Sequence, residues 1–249
     1  MPVAIITGAS RGLGLALARS LAADGWNLVI DGRDGAALSD AAAALDSAPA
    51  LDPSRVVRAI TGDVADPAHR VELVAAATDL GGVDLLVNNA SVLGPSPQPT
   101  LAEYPLDALT HVYEVNTVAP LALAQLALPA LRHAHGVVVD ITSDAAVEPY
   151  EGWGGYGSSK AALEQLGNVL GAEEPDVRVY SFDPGDMRTR MHQEAFPGED
   201  ISDRPEPESI VPALRRLLWD KPASGRYRAS DFASDAGAFA SVAGTQVTP

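Results

Sequence analysis

A tyrosine and a lysine lie four residues apart near the start of a predicted helix, in the segment ITSDAAVEPYEGWGGYGSSKAALEQL (residues 141–166). At this spacing Tyr156 and Lys160 share one helix face and can reach a common point. Ser143 closes the preceding predicted strand. A tyrosine hydroxyl can give a proton to an alkoxide, and a serine hydroxyl can hold a carbonyl oxygen. These residue types therefore suit proton transfer to or from the oxygen of a carbonyl or alcohol group.

A glycine-rich turn, TGASRGLG (residues 7–14), follows the apolar run of residues 3–6. A strand, a glycine turn and a helix N-terminus together form an anion site, because backbone N–H groups and the helix dipole favour a phosphate. A mononucleotide P-loop is excluded, since Leu and Ala follow the last glycine where that loop needs Lys and Ser or Thr. The GxxxGxG spacing of Gly8, Gly12 and Gly14 suits a dinucleotide turn, although an ordinary glycine-rich loop has the same composition.

Short β-branched runs alternate with alanine- and leucine-rich segments of helical period. The predicted strands are residues 3–7, 27–31, 56–61, 83–88, 137–141 and 177–182, with a last short strand at 226–229. The predicted helices follow the glycine turn as far as residue 24 and then cover residues 36–45, 67–79, 106–131, 156–170 and 208–219. This alternation predicts an α/β fold, a Rossmann-like doubly wound parallel sheet, in a single domain of residues 1–229. A dinucleotide would lie where the first and fourth strands flank the switch point of the sheet.

Two stretches depart from this alternation. Residues 187–207 predict a long irregular loop of the kind that covers a substrate. Residues 230–249 are rich in Ala, Ser and Gly, and they predict a poorly ordered C-terminal tail.

Composition narrows the partners of the chain. There are 17 Lys and Arg against 33 Asp and Glu, so the net charge of −16 disfavours attraction to nucleic acid or anionic lipid. The absence of cysteine excludes disulfides and thiolate metal sites. The N-terminus shows no signal peptide, and no uninterrupted apolar stretch reaches the roughly 18 residues of a membrane helix. We therefore expect a soluble cytoplasmic protein. No metal is expected, because His133 and His135 are more typical of a helix C-terminus.

The joint order of several short motifs resembles the short-chain dehydrogenase/reductase family, in its compact single-domain branch. These motifs are Thr7-Gly8-x3-Gly12-x-Gly14, Asp63-Val64, Asn88-Asn89-Ala90, Asn116, Ser143, Tyr156-x3-Lys160, and Pro184-Gly185 with Thr189. They cover the chain up to about residue 228. Two places differ from the family's usual pattern. Ser91 replaces a frequent glycine, and Asp186 and Arg188 stand where smaller or apolar residues are frequent.

The resemblance implies a catalytic tetrad of Asn116, Ser143, Tyr156 and Lys160. Tyr156 would give the proton, Ser143 would hold the oxygen, and Asn116 would bind a water that links Lys160 to solvent. Lys160 would also bind the nicotinamide ribose. A free tyrosine has a pKa near ~10, and we expect the Lys160 ammonium to lower the pKa of Tyr156 by roughly three units.

The resemblance also implies which residues contact the cofactor and the substrate. The cofactor contacts are Gly8, Ser10, Arg11, Gly12, Leu13, Gly14, Arg33, Asp63, Val64, Asn89, Ala90, Tyr156, Lys160, Pro184, Gly185, Met187 and Thr189. The substrate would be a small carbonyl or alcohol compound. Its predicted contacts are Ser143, Tyr150, Trp153, Met191 and Phe196, for which ordinary core packing stays open as an alternative. The helices at 106–131 and 156–170 resemble the pair through which family members form homodimers and homotetramers.

The end of the second predicted strand favours NADPH over NADH. Gly32 stands where NAD-preferring relatives carry an acidic residue, and Arg33 stands where NADP-preferring relatives carry arginine. Arg11 resembles a second contact to the same phosphate, which a planar guanidinium can bind in a bidentate manner. Asp31 is the counter-argument, but strand side chains alternate in direction and we expect it to point away from the ribose.

The sequence therefore predicts an NADPH-dependent oxidoreductase that transfers hydride between the nicotinamide and a carbonyl or alcohol carbon. Three alternatives stay open. They are a non-catalytic protein that senses NADP, an NAD-preferring alcohol dehydrogenase of the same fold, and an epimerase or dehydratase of the extended branch, which usually has a different glycine spacing and a larger C-terminal domain.

Overall fold

A computed structural model describes residues 1–235 and shows one seven-stranded sheet. The strands are β1 Val3–Ile6, β2 Asn27–Gly32, β3 Val57–Thr61, β4 Leu85–Asn88, β5 Val137–Ile141, β6 Arg178–Asp183 and β7 Gly225–Arg228. Their order is β3-β2-β1-β4-β5-β6-β7, and every neighbouring pair is parallel. The predicted Rossmann-like doubly wound parallel sheet is confirmed. The order reverses between β1 and β4, so the switch point lies between these two strands.

Helices cover both faces of this sheet. They are α1 Gly12–Ala23, α2 Gly35–Ser47, α3 Pro67–Asp79, α4 Leu106–Tyr113, α5 Ala119–Ala134, α6 Gly154–Glu173, α7 Arg190–Ala195 and α8 Val211–Asp220. Alternate residues of β1 pack on opposite faces, because strand side chains alternate in direction. Ala4 and Ile6 join the core beneath α1 and α8, whereas Val3 and Ile5 join the core beneath α3 and α5. Burial on both faces explains why β1 reads as a continuous apolar run.

The predicted helix over residues 106–131 is interrupted in the structure. α4 ends at Tyr113, a π segment covers Glu114–Val118, and α5 then continues to Ala134. The prediction of one regular helix was therefore wrong at this point, since hydrophobic periodicity does not detect a single extra residue in a turn. Such π segments frequently occur at functional sites.

The same run, Leu106–Ala134, has 29 residues and contains an 18-residue window with a mean hydropathy of 1.2, so it is long and apolar enough to cross a membrane by length and composition alone. It is not the uninterrupted apolar stretch considered in the sequence, because polar residues such as Asp107, Glu114 and Asn116 interrupt it. In the structure, 56% of the relevant window is buried inside the protein. Leu123, Ala127 and Leu131 pack into the core beneath the sheet, so packing within the fold accounts for the apolar composition.

The segment predicted as an irregular loop, residues 187–207, contains a helix. α7 begins after Thr189, whose hydroxyl accepts a hydrogen bond of 3.2 Å from the backbone N–H of His192. This short cap was not recognised in the sequence. Of the predicted tail, the first residues belong to a 3-10 helix at Ala229–Asp235, and residues 236–249 lie outside the part of the chain that the structure describes.

Gly14 should be required for the packing of α1 on the glycine turn. A Cβ at this position would lie 2.6 Å from Nδ2 of Asn89 and 2.8 Å from the carbonyl oxygen of Gly8. Alanine normally stabilises a helix interior by about 1 kcal/mol relative to glycine. We expect Gly14→Ala instead to lower the free energy of unfolding by about 1–3 kcal/mol, because overpacking forces the backbone to shift. Urea unfolding followed by circular dichroism measures this.

Gln165→Ala, at an exposed position of α6, is the control and should change stability by less than about 0.5 kcal/mol. A Gly14→Ala protein as stable as the wild type would show that the turn can move away from the helix.

Candidate active site

A cavity of about 790 Å³ lies along the carboxyl ends of the parallel strands. The residues of the predicted site that line it are Gly8, Ser10, Arg11, Gly12, Leu13, Arg33, Asp63, Val64, Asn89, Ala90, Ser143, Trp153, Tyr156, Lys160, Pro184, Gly185, Met187, Thr189 and Met191. Four predicted residues do not line it, namely Gly14, Asn116, Tyr150 and Phe196. The structure thus brings the glycine turn, the second strand end and the Tyr-Lys pair to one continuous crevice.

Tyr156 and Lys160 are both buried at the floor of this crevice, with 8% and 2% of their surfaces exposed. The Nζ of Lys160 donates a hydrogen bond of 2.7 Å to the carbonyl oxygen of Ile141, at the end of β5. It lies 5.6 Å from the centre of the Tyr156 ring. Burial lowers the pKa of Lys160 to about 8, and the carboxylates of Asp140 and Glu164 oppose that shift.

The expectation that Lys160 lowers the pKa of Tyr156 was wrong for this structure. Burial raises the pKa of Tyr156 well above its usual value, and hydrogen bonding to Ser91 and Ser143 only partly offsets the increase. The charges of Asp144 and Asp183 raise it further. The tyrosine is therefore a neutral phenol at neutral pH, which is the form that donates a proton.

Ser143 follows β5 and caps a 3-10 turn at Asp144–Ala146. Its hydroxyl donates to Oδ1 of Asp144 at 2.9 Å and accepts from the backbone N–H of Ala145 at 3.2 Å. The other carboxylate oxygen of Asp144 accepts from the hydroxyl of Tyr150 at 2.9 Å. Tyr150 therefore contacts the site through Asp144, although it does not line the cavity.

Asn116 lies in the π segment and is completely buried. Its Oδ1 accepts from the backbone N–H of Val92 at 2.9 Å and from the hydroxyl of Ser91 at 3.1 Å. Its Nδ2 donates to the carbonyl oxygen of Val92 at 2.9 Å and to the hydroxyl of Ser159 at 3.0 Å. All four hydrogen-bonding positions of the amide are used, so any water that Asn116 binds must meet its backbone.

Ser91 is a site residue that sequence reasoning missed. It was noted only as a replacement for a frequent glycine, yet its hydroxyl donates to Asn116 and Ser91 also lowers the pKa of Tyr156. The sequence did carry a signal, namely a serine where the family frequently has glycine. Such a serine adds a hydroxyl group beside the tyrosine. Its two partners are 25 and 65 residues away, which follows from the numbering, and no local pattern reveals such contacts.

The glycine turn is held from below by polar side chains, of which Asp31 and His69 are buried. The backbone N–H of Gly8, whose φ is +64°, donates to Oδ1 of Asp31 at 2.6 Å. The other oxygen of Asp31 lies 3.0 Å from Nε2 of His69. Nδ2 of Asn89 donates to the carbonyl oxygens of Thr7 and Gly8 at 2.8 and 3.1 Å. Both oxygens of Asp31 are therefore engaged beneath the turn.

Gly12 and the two arginines face the open side of the crevice. Gly12 has a φ of +59°, and a Cβ there would meet only a methyl group of Thr189 at 3.9 Å. Arg11 pairs with Asp34 at 3.1 Å, and both side chains are about half exposed. Arg33 is exposed, and within residues 1–235 it makes no hydrogen bond or ion pair.

Aromatic side chains form one wall next to Tyr156. Trp153 lies 5.9 Å from the rings of both Tyr156 and Phe196 and 6.4 Å from that of Tyr150. Phe196 also stacks on His192 of α7 at 4.9 Å. The two predicted wall residues that do not line the cavity, Tyr150 and Phe196, thus support Trp153 from behind.

Among residues 1–235 there is no group of three or more metal-ligating side chains. At the helix end that carries the two histidines considered above, His135 ends α5 in the left-handed conformation, and Arg132 pairs with Glu174 at 2.5 Å.

Sequence comparison assigns the family. A model described as short chain dehydrogenase matches residues 2–200, which is most of the chain. The protein belongs to the short-chain dehydrogenase family. It is therefore an oxidoreductase by family, as the motifs predict.

Proteins that are similar to this short-chain dehydrogenase are named for several different activities. The sepiapterin reductase of Mus musculus is 34% identical over 224 residues, covering 86% of this chain and 84% of the relative. The 1-deoxy-11-beta-hydroxypentalenate dehydrogenase of Streptomyces exfoliatus is 37% identical over 197 residues, covering 76% and 69%. An alcohol dehydrogenase of Thermococcus sibiricus, solved with 5-hydroxy-NADP, superimposes with a TM-score of 0.80 at 30% identity, covering 92% and 95%.

The Asp31–His69 pair beneath the turn should give the dehydrogenase a measurable pH dependence of stability. The hydrogen bond to Asp31 raises the pKa of His69, the carboxylates of Glu72 and Asp66 act in the same direction, and burial opposes them. A raised pKa in the folded state stabilises the protein fully below the unfolded value of about 6.5. This contribution is lost as the pH rises through the folded pKa.

We expect Asp31→Asn to remove this dependence and to cost about 3–5 kcal/mol at pH 6, because one partner of a buried pair is lost. Chemical unfolding between pH 6 and pH 9 measures both effects. His111→Asn, at an exposed histidine, should leave the curve nearly unchanged. An Asp31→Asn protein that keeps the wild-type pH dependence would contradict the assignment.

Proposed function

We propose that this short-chain dehydrogenase is an NADPH-dependent reductase that interconverts a carbonyl and an alcohol group, with Tyr156 as general acid and base. The observation that carries the proposal is the single crevice that joins the glycine turn and Arg33 to the buried Tyr156, Lys160 and Ser143. A dinucleotide with its phosphates at the turn has room in this crevice to reach the tyrosine.

The residues present fit NADP. The Cβ position of Gly12 is nearly empty, so a pyrophosphate can approach the backbone there. Gly185, with a φ of +71° and no atom within 4 Å of a Cβ position, leaves similar space at the other end of the crevice. The bound nicotinamide would supply hydride. Asp63 and Val64 would hold the adenine end, and Met187 and Thr189 the nicotinamide end.

The protein's own groups would handle the proton. Tyr156 is a neutral phenol at neutral pH, which is the form that can protonate the oxygen of a reduced carbonyl, although burial makes it a weaker acid than a free tyrosine. Ser143, next to the tyrosine, would hold that oxygen, exchanging its hydrogen bond to Asp144 for one to substrate. Lys160 would bind the ribose and provide positive charge when the tyrosine gives up its proton. A water at the backbone of Asn116 would connect Lys160 to solvent.

Arg33 supports the preference for NADPH. It is exposed, lines the crevice and is free of partners among the described residues, so its guanidinium is available for the 2′-phosphate. Asp31 would compete only weakly for the ribose, because it is 1% exposed and its two oxygens are directed at Gly8 and His69 beneath the turn. Arg11 would assist after giving up its exposed pair with Asp34, which costs little.

The substrate would enter between the aromatic wall and α7, and the segment of residues 187–207 would then determine specificity. The similarity to enzymes named sepiapterin reductase supports trying pterin carbonyl compounds beside ketones, quinones and steroids. A non-catalytic NADP sensor is the second candidate, and tight NADPH binding without turnover would favour it. The homodimer or homotetramer and the cytoplasmic location stay predictions.

Tyr156→Phe should lower kcat for NADPH oxidation by about 10²–10⁴-fold, since it removes only the proton donor. The measurement is the loss of NADPH absorbance with the panel of carbonyl compounds. Tyr227→Phe makes the same chemical change on β7, where the hydroxyl donates to the carbonyl oxygen of Ala223, and should keep wild-type activity. Full activity of Tyr156→Phe would exclude the proposed mechanism.

Arg33→Ala should raise KM for NADPH by about tenfold or more and leave KM for NADH almost unchanged, because a hydrogen bond to a charged group contributes about 1.5–3 kcal/mol. Steady-state kinetics with both coenzymes measure this. Arg58→Ala, at an exposed arginine of β3, is the matched control. Equal changes for NADPH and NADH would overturn the assignment of the 2′-phosphate site.

A further inference from the structure

Arg226 of β7 contacts three different elements behind the active-site floor. Its Nε donates to Oε1 of Glu164 in α6 at 3.0 Å. Its Nη2 donates to Oδ2 of Asp183, the last residue of β6, at 2.8 Å, and to the carbonyl oxygen of Ser143 after β5 at 3.3 Å. One guanidinium group therefore joins the ends of two strands to the helix that carries Tyr156.

Each of these acceptors acts directly on a residue of the site. Ser143 is itself the predicted ligand of the carbonyl oxygen. Asp183 uses its other oxygen to accept from the backbone N–H of Gly185 at 3.0 Å, which sets the turn at the nicotinamide end. Glu164 lies one helical turn after Lys160, and its Oε1 also accepts from the hydroxyl of Thr142 at 2.6 Å.

Charge explains why an arginine is needed here. The side chains of Glu164 and Asp183 are only 10% and 6% exposed, and Arg226 pairs with both. A planar guanidinium can donate to several acceptors in fixed directions, whereas a lysine ammonium is a compact point charge. Loss of one partner of a buried ion pair is strongly destabilising, and this applies most to Glu164, because Asp183 also lies 3.9 Å from Nε of Arg228.

We propose that Arg226 is a positioning residue for the reaction, which holds Ser143 and the Pro184–Gly185 turn in register with α6. This inference rests on the proposed function for its kinetic consequences. Its structural part, the ordering of two strand ends by one side chain, is independent of which substrate the enzyme uses.

The test compares Arg226→Gln and Arg226→Lys with Arg215→Gln. Arg215 also uses one guanidinium to join two elements, because it donates to Asp24 at 2.7 Å and to Ser20 at 3.1 Å. It does not line the crevice, so its loss reports the purely structural effect of removing such a contact. We expect Arg226→Gln to lower kcat/KM for NADPH on the order of tenfold through misplacement of the site, and Arg215→Gln to leave it unchanged.

The pH profile gives a readout that a general loss of stability would not move. Lys160 faces Glu164 and Tyr156 on α6 and Asp140 on β5, and the carboxylates of Glu164 and Asp140 raise its pKa against the effect of burial. In the wild type, kcat/KM should fall as the pH rises through about 8, when Lys160 loses its charge. Without Arg226 the charge of Glu164 is compensated by Lys160 alone, which favours the charged lysine, so the pH at which kcat/KM falls should move higher. Arg226→Lys should restore the wild-type pH at which kcat/KM falls, but not the full value of kcat/KM.

Amide hydrogen exchange of the protein without coenzyme tests the structural part. Residues 143–146 and 185 should exchange faster in Arg226→Gln than in the wild type and in Arg215→Gln. Unchanged exchange there would overturn the proposal even if the enzyme reduces carbonyl compounds. Absence of NADPH turnover in the wild type would overturn the proposed function instead and leave the exchange result decisive for Arg226. If the Gln variant does not fold, the same comparison is made with Arg226→Lys.

Discussion

The parallel pairing of β1 with β4 is the contact on which the active site depends. Ala4, Ile5 and Ile6 align with Leu85, Leu86 and Val87, and the ladder continues where the backbone N–H of Thr7 donates to the carbonyl oxygen of Val87 at 3.0 Å. Because the chain leaves both strands at the same edge, the glycine turn and the Asn88-Asn89-Ala90 segment must meet. Asn89 and the hydroxyl of Thr7 then connect them through several hydrogen bonds.

Buried charge controls the chemistry of the floor. Lys160 lies close to Asp140 and Glu164 away from water, and both carboxylates favour its charged form. Burial raises the pKa of Asp140 to about 6, although Nδ2 of Asn88 donates to it at 2.7 Å. The same burial raises the pKa of Tyr156, which makes the neutral phenol harder to ionise. In the proposed reduction, the nearby charge of Lys160 would favour the phenolate when the proton moves to substrate.

The two sides of the crevice differ in how they are held. The floor is fixed by buried hydrogen bonds among Ser91, Asn116 and Ser159 and by the contacts of Arg226. On the outer side, α7 has no buried residue, and the segment around it is joined by surface ion pairs such as Arg188–Glu206, which contribute little stability. Such an arrangement suits a reaction in which the site residues on the floor must keep their geometry, while α7 and its neighbours move to let substrates enter and leave.

The sequence by itself determined the fold class and much of the crevice, because these depend on local patterns. Strand and helix periods predicted the sheet, and the four-residue spacing of Tyr156 and Lys160 placed both on one helix face. The tertiary structure alone decided the direction in which the pKa of Tyr156 shifts, since burial rather than the nearby lysine dominates. It also decided the roles of Ser91, Asp31 and Arg226. Their partners lie 23 to 83 residues away along the chain, and only the folded sheet brings such distant polar groups within hydrogen-bonding distance.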